Sequence, residues 1–488
     1  MQKKKAKSEK EDNDKGLGIS AEKDEFSEWY TQAIVKAELA DYSPVSGCLI
    51  FRPWGYAIWE VMQQETDKRF KKIGIKNVYF PLFIPESLLK KEATHLKGFS
   101  PEVAWVTVGG GTELPERLAI RPTSETIMYE SYKKWIRSWR DLPLKLNQWN
   151  NVVRWEFKHP VPFLRTREFL WNEGHTAYAT KAEALEEEKK ILGIYNEVLR
   201  EYMAIAGFIS RKTESDKFAG AEFTKAIECM LPNGRVVQGP DFHHDGQIFA
   251  KAFGIKFLDK NGKEDYVWQN TWAITTRMIG VMLAIHGDDK GLIIPPKIAP
   301  IQVVIVPILF KGTEEKVIKE AKAIENKLKD FRVFLDDRME YSAGYKFHDW
   351  EMKGVPVRVE IGPKDIEKGQ VVVARRDNGK KETVKISEIS NKIGKFVDDI
   401  HKNLLASSEK KLKESMTRVK TMSDMASVIK NKKIALAEWC GNKECEDWIK
   451  SKTQGAKIIG INEQEKAKAA CVYCGKKAMH AVWIAKSY

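Results

Sequence analysis

Residues 151–157 read Asn151-Val152-Val153-Arg154-Trp155-Glu156-Phe157, and residues 167–175 read Arg167-Glu168-Phe169-Leu170-Trp171-Asn172-Glu173-Gly174-His175. Both stretches alternate. Side chains two residues apart on a strand share a face, so Arg154 and Glu156 are expected on one side and Val153, Trp155 and Phe157 on the other. The same rule puts Phe169, Trp171, Glu173 and His175 on one face. The connection, Lys158-His159-Pro160-Val161-Pro162-Phe163-Leu164-Arg165-Thr166, adds basic groups. A plain amphipathic strand separates aromatics from charges, whereas here they share a face. Such a face suits a ligand with an anionic part, a planar part and an ammonium: arginines for phosphates, a carboxylate for an amine, aromatic walls for a compact apolar ring. The alternative is an ordinary hairpin with one packed and one wet face.

Working outward, residues 19–40 have helical periodicity and end at the turn-rich Tyr42-Ser43-Pro44-Val45-Ser46-Gly47. A helix is expected over 56–72, a β-type run over 78–85, and a strand at 118–122 leading into a helix near Thr123. Residues 181–206 read as an amphipathic helix and 274–285 as a buried one closed by Gly287. At Pro295-Pro296-Lys297-Ile298-Ala299-Pro300 the pattern changes to a stiff linker. Beyond it, strands at 303–309, 332–335, 355–361 and 370–375 alternate with helices, the pattern of a small α/β domain. A third unit opens near residue 406 with a Lys-rich helix.

The chain of 488 residues is long enough for about three domains with cores of their own. Lys plus Arg number 82 and Asp plus Glu 68, giving 82 − 68 = +14, which suggests a polyanionic partner. The longest apolar stretch, 298–310, is too short to span a bilayer and is broken by Pro300 and Pro307. The Lys-rich first residues lack the apolar segment of a secretory signal. Six cysteines are too few for a disulfide scaffold, and four crowd into the last 50 residues. Cys440-x4-Cys445 and Cys471-x2-Cys474 have the two-pair spacing of a structural four-cysteine zinc site; two loose thiol pairs are the alternative. A soluble cytoplasmic protein with no membrane segment is expected.

The stretch 154–175 resembles motif 2 of class II aminoacyl-tRNA synthetases, and its wording is similar to that of prolyl-tRNA synthetases of the archaeal and eukaryotic type. The helix 56–72 with the strand carrying Pro81 resembles motif 1, which in the family builds a dimer interface. Asn270-Thr271-Trp272-Ala273-Ile274-Thr275-Thr276-Arg277 resembles motif 3. The likeness runs from about residue 20 to the end. It implies a charged tail (1–18), an antiparallel-sheet catalytic domain (19–294), an α/β anticodon-binding domain (295–405) and a small α+β zinc-binding domain (406–488). Bacterial relatives often carry an editing insertion between motifs 2 and 3; the roughly 95 residues 176–270 leave no room for one.

By that resemblance Arg154 and Arg277 clamp the phosphates of ATP, a task suited to a planar, permanently charged guanidinium. Glu156 meets the adenine amino group and Arg165 the outer phosphates, with magnesium on the leaving pyrophosphate. Gln238, Asp241 and Thr275 complete the ATP site. The proline pocket takes Thr123, Glu125, Arg154, Phe169, Trp171, Glu173, His175, Phe218, His243 and Trp272. Taken alone, Thr123 and Glu125 read equally well as a helix N-cap and its first-turn acid, and Arg277 as one end of a salt bridge. Glu351, Arg358 and Asp365 match the anticodon-reading positions, where carboxylates accept from guanine N1 and N2 and arginine donates to O6 and N7; surface charges on a sheet edge are the alternative. Cys440, Cys445, Cys471 and Cys474 are the zinc ligands. The sequence departs from the family pattern at Asp241 and Phe242, where small hydroxyl residues are usual, and at Ala273, where glycine is common. The expected activity is formation of prolyl-adenylate from proline and ATP, then transfer to the 3′ end of tRNA(Pro), by a homodimer. An enzyme with altered amino-acid choice and a tRNA-binding paralogue without catalysis are the alternatives.

Overall fold

The computed structural model describes residues 18–95, 102–156 and 159–488. The expected tail therefore lies outside the described residues except for Gly18, as do Phe157 and Lys158 of the motif 2 stretch.

Seven strands build the central sheet: β1 (Lys76–Asn77), β2 (Leu144–Val153), β3 (Glu168–Tyr178), β4 (Phe208–Arg211), β5 (Phe223–Met230), β6 (Arg235–Gly246) and β7 (Trp268–Thr275). Their order across the sheet is β4-β5-β6-β7-β3-β2-β1. All neighbours are antiparallel except β1 and β2. Five helices matter for this part: α1 (Phe26–Lys36), α2 (Pro53–Lys72), α3 (Glu125–Trp135), α4 (Lys181–Glu201) and α5 (Arg277–His286).

Strand parity decides which helix meets which face. Even residues of β3 and β7 point toward α4: the Tyr195 hydroxyl donates to Asn172 Oδ1 (3.0 Å), and Thr176 Oγ1 and Asn270 Nδ2 both donate to Glu187 (2.5 and 2.9 Å). Phe242, Trp272 and Ile274 join the main core there, with Trp29 and Ile34 of α1, Phe70 of α2 and Tyr195 of α4. Helix α4 starts where Thr180 and Glu183 close a capping box. Odd residues of β3 and β7 face the other way, and α3 covers one end of that face, packing Met128, Tyr129 and Tyr132 against Leu146, Ala177 and Phe249.

The second unit holds β8 (Val303–Pro307), β9 (Val333–Leu335), β10 (Val357–Ile361), β11 (Gln370–Arg375) and β12 (Lys381–Lys385) in the order β9-β8-β10-β11-β12. Helix α6 (Ile389–Ser415) leaves it and at 1.5 Å per residue runs about 40 Å. The boundary expected at 405/406 falls inside this helix. The last unit has β13 (Met416–Arg418), β14 (Ile434–Trp439), β15 (Lys457–Lys466) and β16 (His480–Ser487). It extends the central sheet to 11 strands, through β15 beside β4 and a parallel pairing of β16 with the start of β6. Tyr488 is accordingly anchored: its amide donates to the Val236 carbonyl (3.3 Å), and its hydroxyl accepts from Asn233 Nδ2 (3.0 Å).

Two expectations need correction. Strand β2 stops at Val153, so alternation does not carry on to residue 157; Arg154 N makes the last cross-strand bond, to the Arg167 carbonyl (2.8 Å), and Trp155 turns outward under the Arg167 guanidinium, 4.4 Å from its ring. The 78–85 run is not one strand: only Lys76–Asn77 and Phe83–Pro85 pair, because Pro81 offers no amide proton to a ladder. In the linker at 295–300, Ile298 and Ala299 are fully buried in the main core, where their apolar side chains seal the unit junction.

Candidate active site

The odd face of β3 and its neighbours floors a cavity of about 490 Å³. It is lined by Thr123, Glu125, Arg154, Glu156, Phe169, Trp171, Glu173, His175, Phe218, Gln238, Asp241, His243, Trp272, Thr275 and Arg277, every expected nucleotide or proline residue except Arg165. Arg165 is exposed in the loop after β2, near enough to Arg277 to oppose its charge.

Arg154 follows β2. Its guanidinium lies 5.5 Å from the Phe169 ring centroid and 5.3 Å from that of Trp171, and its Nε donates to the Pro122 carbonyl (3.0 Å). Held by its Nε beside the two rings, it keeps its terminal amines for an anion. Arg277 opens helix α5, where unpaired backbone amides favour negative charge. Its Nε and Nη1 donate to the carbonyls of Leu164 and Gln238 (both 3.0 Å), so it is held by backbone and not by an acid. This sets aside the salt-bridge alternative. Burial lowers its pKa, Asp241 opposes the drop, and Arg154 and Arg165 add to it; such a cluster of guanidiniums is suited to an anion.

Behind the arginines lies an acidic end. Glu173 accepts from Ser124 N (3.0 Å), the Ser124 hydroxyl, Gln148 Nε2 (3.1 Å) and Asn150 Nδ2 (2.8 Å), and stands 3.3 Å from His175 Nε2. Burial alone would raise its pKa, but the bonds from His175, Ser124 and Asn150 hold it down to about 2. The Thr123 hydroxyl donates to Glu125, and Ser124 at the N-cap makes no side-chain cap bond. The helix-cap alternative for Thr123 therefore fails. The acidic oxygens of Glu125 and Glu173 and a ring nitrogen of His175 lie within 4.8 Å of one another, all buried. His243 points in from β6, its Nδ1 2.8 Å from Thr224 Oγ1, its ring 5.0 Å from Phe218, and its pKa lowered by burial.

Trp272 lines the cavity from an even position of β7 opposite Gly174, while its ring also packs 4.7 Å from Phe70 on the core side. A Cβ at Gly174 would meet that ring at 2.2 Å. Trp272 thus supports the floor of the cavity as well as lining it. Sequence reading missed Gln148, Asn150 and Ser124 as partners of Glu173; Gln148 and Asn150 share the parity of Arg154 on β2, the one signal that would have found them. It also missed Asp245, which is fully buried without a cationic partner, its carboxyl pushed well above the usual range by burial and by Glu125.

In the last unit, the sulfurs of Cys440, Cys445, Cys471 and Cys474 all lie within 4.8 Å of one another, with Cys440 Sγ 3.6 Å from Cys445 Sγ and 3.8 Å from Cys474 Sγ. Gly441 and Gly475 take positive φ (85° and 70°) and turn the chain at each pair. A tetrahedral metal with sulfur bonds of about 2.3 Å has sulfur–sulfur edges of roughly 3.8 Å, so the donor set fits. In the second unit, Glu351 and Arg358 share a cavity of about 250 Å³ with Lys290, Arg375, Arg376 and Lys381. Asp365 is not brought to it: it lies past the other end of β10 and accepts from Gly362 N (3.0 Å), capping the helix Pro363–Glu367.

Residues 106–286 match the family model for the tRNA synthetase class II core domain (G, H, P, S and T), and 302–396 match the anticodon binding domain. Together with an antiparallel sheet that presents one arginine beside its central hairpin and another at the following helix, they define a class II aminoacyl-tRNA synthetase. Residues 422–488 match the prolyl-tRNA synthetase C-terminal model. The chain is similar to the proline–tRNA ligase of Natranaerobius thermophilus (48% identity over 94% of this chain and 95% of the relative). It is also similar to the cytoplasmic proline–tRNA ligase of Arabidopsis thaliana (48%, over 90% and 84%). Its structure is similar to that of the prolyl-tRNA synthetase of Cryptosporidium parvum complexed with halofuginone and AMPPNP (TM-score 0.92, 45% identity, 97% of this chain and 100% of the other). The chain belongs to the prolyl-tRNA synthetase family and ligates proline to tRNA.

Proposed function

We propose that the 490 Å³ cavity is where this reaction starts, with ATP at the arginine end and proline at the acidic end. A proline carboxylate oxygen attacks the α-phosphorus of ATP; the bond from that phosphorus to the bridging oxygen breaks, and pyrophosphate leaves with the electron pair. No side-chain nucleophile is needed. Arg154 and Arg277 neutralise charge that builds on the α-phosphate, and Arg165 reaches the outer phosphates from its loop. Glu156 at the mouth takes the adenine amino group, and Gln238, Asp241 and Thr275 hold the rest of the nucleotide. Magnesium arrives with ATP and shields the leaving pyrophosphate. Glu125, with Thr123 donating to it, takes the proline ammonium, while Phe169, Trp171, His175, Phe218 and His243 enclose the ring. Glu173 already has its full set of donors, so its part is to fix Ser124, Asn150 and His175 around the pocket.

The observation that carries this reading is the pairing of Arg154, held beside two aromatic rings, with Arg277, held by carbonyls, above a buried carboxylate set. Proline-dependent ATP–pyrophosphate exchange tests it. Arg277→Ala should abolish exchange and leave tRNA binding largely intact; unchanged exchange would refute the role. Exchange faster with alanine or cysteine than with proline would favour altered amino-acid choice.

The four cysteines hold a structural zinc ion with no open ligand position, worth on the order of 10 kcal/mol to this unit's folding. Unit 295–405 reads the anticodon of tRNA(Pro) with Glu351 and Arg358. The protein works in the cytoplasm as a homodimer. Support for the dimer is an apolar surface around α2 and the strand after it: Tyr56, Tyr79 and Phe83 are exposed, Tyr79 to 72%. A sedimentation mass of one chain would remove that assignment.

A further inference from the structure

The loop between β4 and β5, residues 212–222, supplies Asp216, Lys217, Phe218 and Ala219 to the cavity wall. Side chains of its first half are bonded to the last unit at four successive points, Lys212, Thr213, Ser215 and Asp216. Thr213 Oγ1 donates to Glu446 Oε1 (3.0 Å) and Ser215 Oγ to Glu446 Oε2 (2.5 Å). Lys457 Nζ bonds both oxygens of Asp216 (2.9 and 2.8 Å). Lys212 is buried, pairs with Glu228 Oε1 (2.5 Å), and donates to the Ile459 carbonyl (3.1 Å). Thr213 then passes its position inward, its carbonyl accepting from the amides of Asp216 (3.1 Å) and Lys217 (2.9 Å), next to Phe218. On the other side, Glu446 directly follows Cys445 in the helix Lys443–Lys452 and is itself buried.

We infer that Glu446 is a positioning residue for amino-acid binding: it clamps loop 212–222 in the conformation that closes Phe218 over the substrate, and its own position is set by the neighbouring cysteine cluster. A carboxylate that accepts from two hydroxyls of one loop fixes both ends of a short turn, as a surface ion pair does not. The cysteine end is thereby joined to the pocket by one residue's spacing. The chain needs it for more than the folding of its own unit. This inference rests on the reading of the cavity as the proline site.

The test uses the full-length protein with Glu446→Gln and Ser215→Ala. Glutamine keeps the size and one acceptor but cannot accept at its amide nitrogen; Ser215→Ala removes the same bond from the loop side, leaving the last unit untouched. Both should raise the KM for proline in pyrophosphate exchange about tenfold, as expected for the loss of one hydrogen bond to a charged group, with the KM for ATP and the zinc content unchanged. Amide hydrogen exchange should quicken in 212–222 of both variants. A wild-type KM for proline in both, or a rise in Glu446→Gln explained by lost zinc while Ser215→Ala behaves as wild type, would overturn the inference. Absence of proline-dependent exchange in the unmodified protein would instead overturn the assignment of the cavity.

Discussion

Asp241 and Ala273 are Cα partners across β6 and β7, and both face the cavity. Two of the three positions where the sequence departs from its family pattern are thus one contact, while the third, Phe242, lies in the core beneath. Asp241 Oδ2 accepts from Gln238 Nε2 (2.8 Å), but Oδ1 is buried with no hydrogen-bond partner among the described residues, His243 Nε2 standing 3.6 Å away. A buried acceptor left unpaired is costly, so a ligand donor belongs there. A ribose hydroxyl fits the nucleotide end. Asp241→Ala should raise the KM for ATP about tenfold and leave that for proline unchanged. Comparing ATP with its 2′- and 3′-deoxy analogues checks the reason: the analogue that lacks the bonded hydroxyl should lose affinity in the unmodified protein and lose none further in the variant.

Arg154 has a second requirement besides charge, since its guanidinium lies 5.5 and 5.3 Å from the Phe169 and Trp171 ring centroids and its Nε donates to the Pro122 carbonyl. Lysine keeps the charge but lacks the planar fork and the five donors. Arg154→Lys should therefore lower the exchange rate by about 10²–10³, the cost of one preorganised transition-state donor. A loss below tenfold would mean that charge alone matters there.

Strand parity at 167–175 was enough to place Phe169, Trp171, Glu173 and His175 on one wall, because side-chain direction on a regular strand follows from counting. The same counting failed at Trp155, where the strand ends and the chain turns. The Asp241–Ala273 pairing was invisible, since 32 residues separate partners whose register depends on a bulge between His244 and Gly246. Trp272 lines the cavity as the motif implies, but its packing on Phe70 on the core side could not be read from the motif. The merging of the cysteine-bearing unit with the catalytic sheet also left no local trace, because cross-unit pairing such as Arg235 with Lys486 is set by tertiary packing.

Glu173 gives the site a pH signature in stability. Its folded pKa of about 2 lies below its ordinary value of 4.5. A depressed carboxylate stabilises the fold fully above the unfolded value and loses this contribution as pH falls from about 4.5 toward 2. The shift corresponds to about 3 kcal/mol. Glu173→Gln should be less stable than the unmodified protein by an amount of that order at pH 7. The gap should narrow in urea titrations as the pH drops below 4.5. A gap independent of pH would show that packing, and not the charge, is what the substitution removes.

The residues proposed to read the anticodon separate into two behaviours. Arg358 Nε and Nη2 donate to Glu360 Oε1 (3.1 and 2.9 Å) and Nη1 to the Phe347 carbonyl (3.2 Å), and its guanidinium lies 4.4 Å from the Phe347 ring at a cavity shared with Lys290, Arg375, Arg376 and Lys381. Asp365 spends its Oδ2 on the Gly362 amide. Arg358→Ala should raise the KM for tRNA(Pro) in aminoacylation by about 10–100-fold, the range for one bidentate base contact, and leave pyrophosphate exchange without tRNA unchanged. Asp365→Asn should instead act on the local helix, lowering stability by about 1 kcal/mol or less, since asparagine is itself a fair cap. Parallel aminoacylation and exchange assays with both variants decide the matter: if Asp365→Asn impairs tRNA charging as severely as Arg358→Ala while its melting point is unchanged, then Asp365 leaves its cap when RNA binds and reads a base after all.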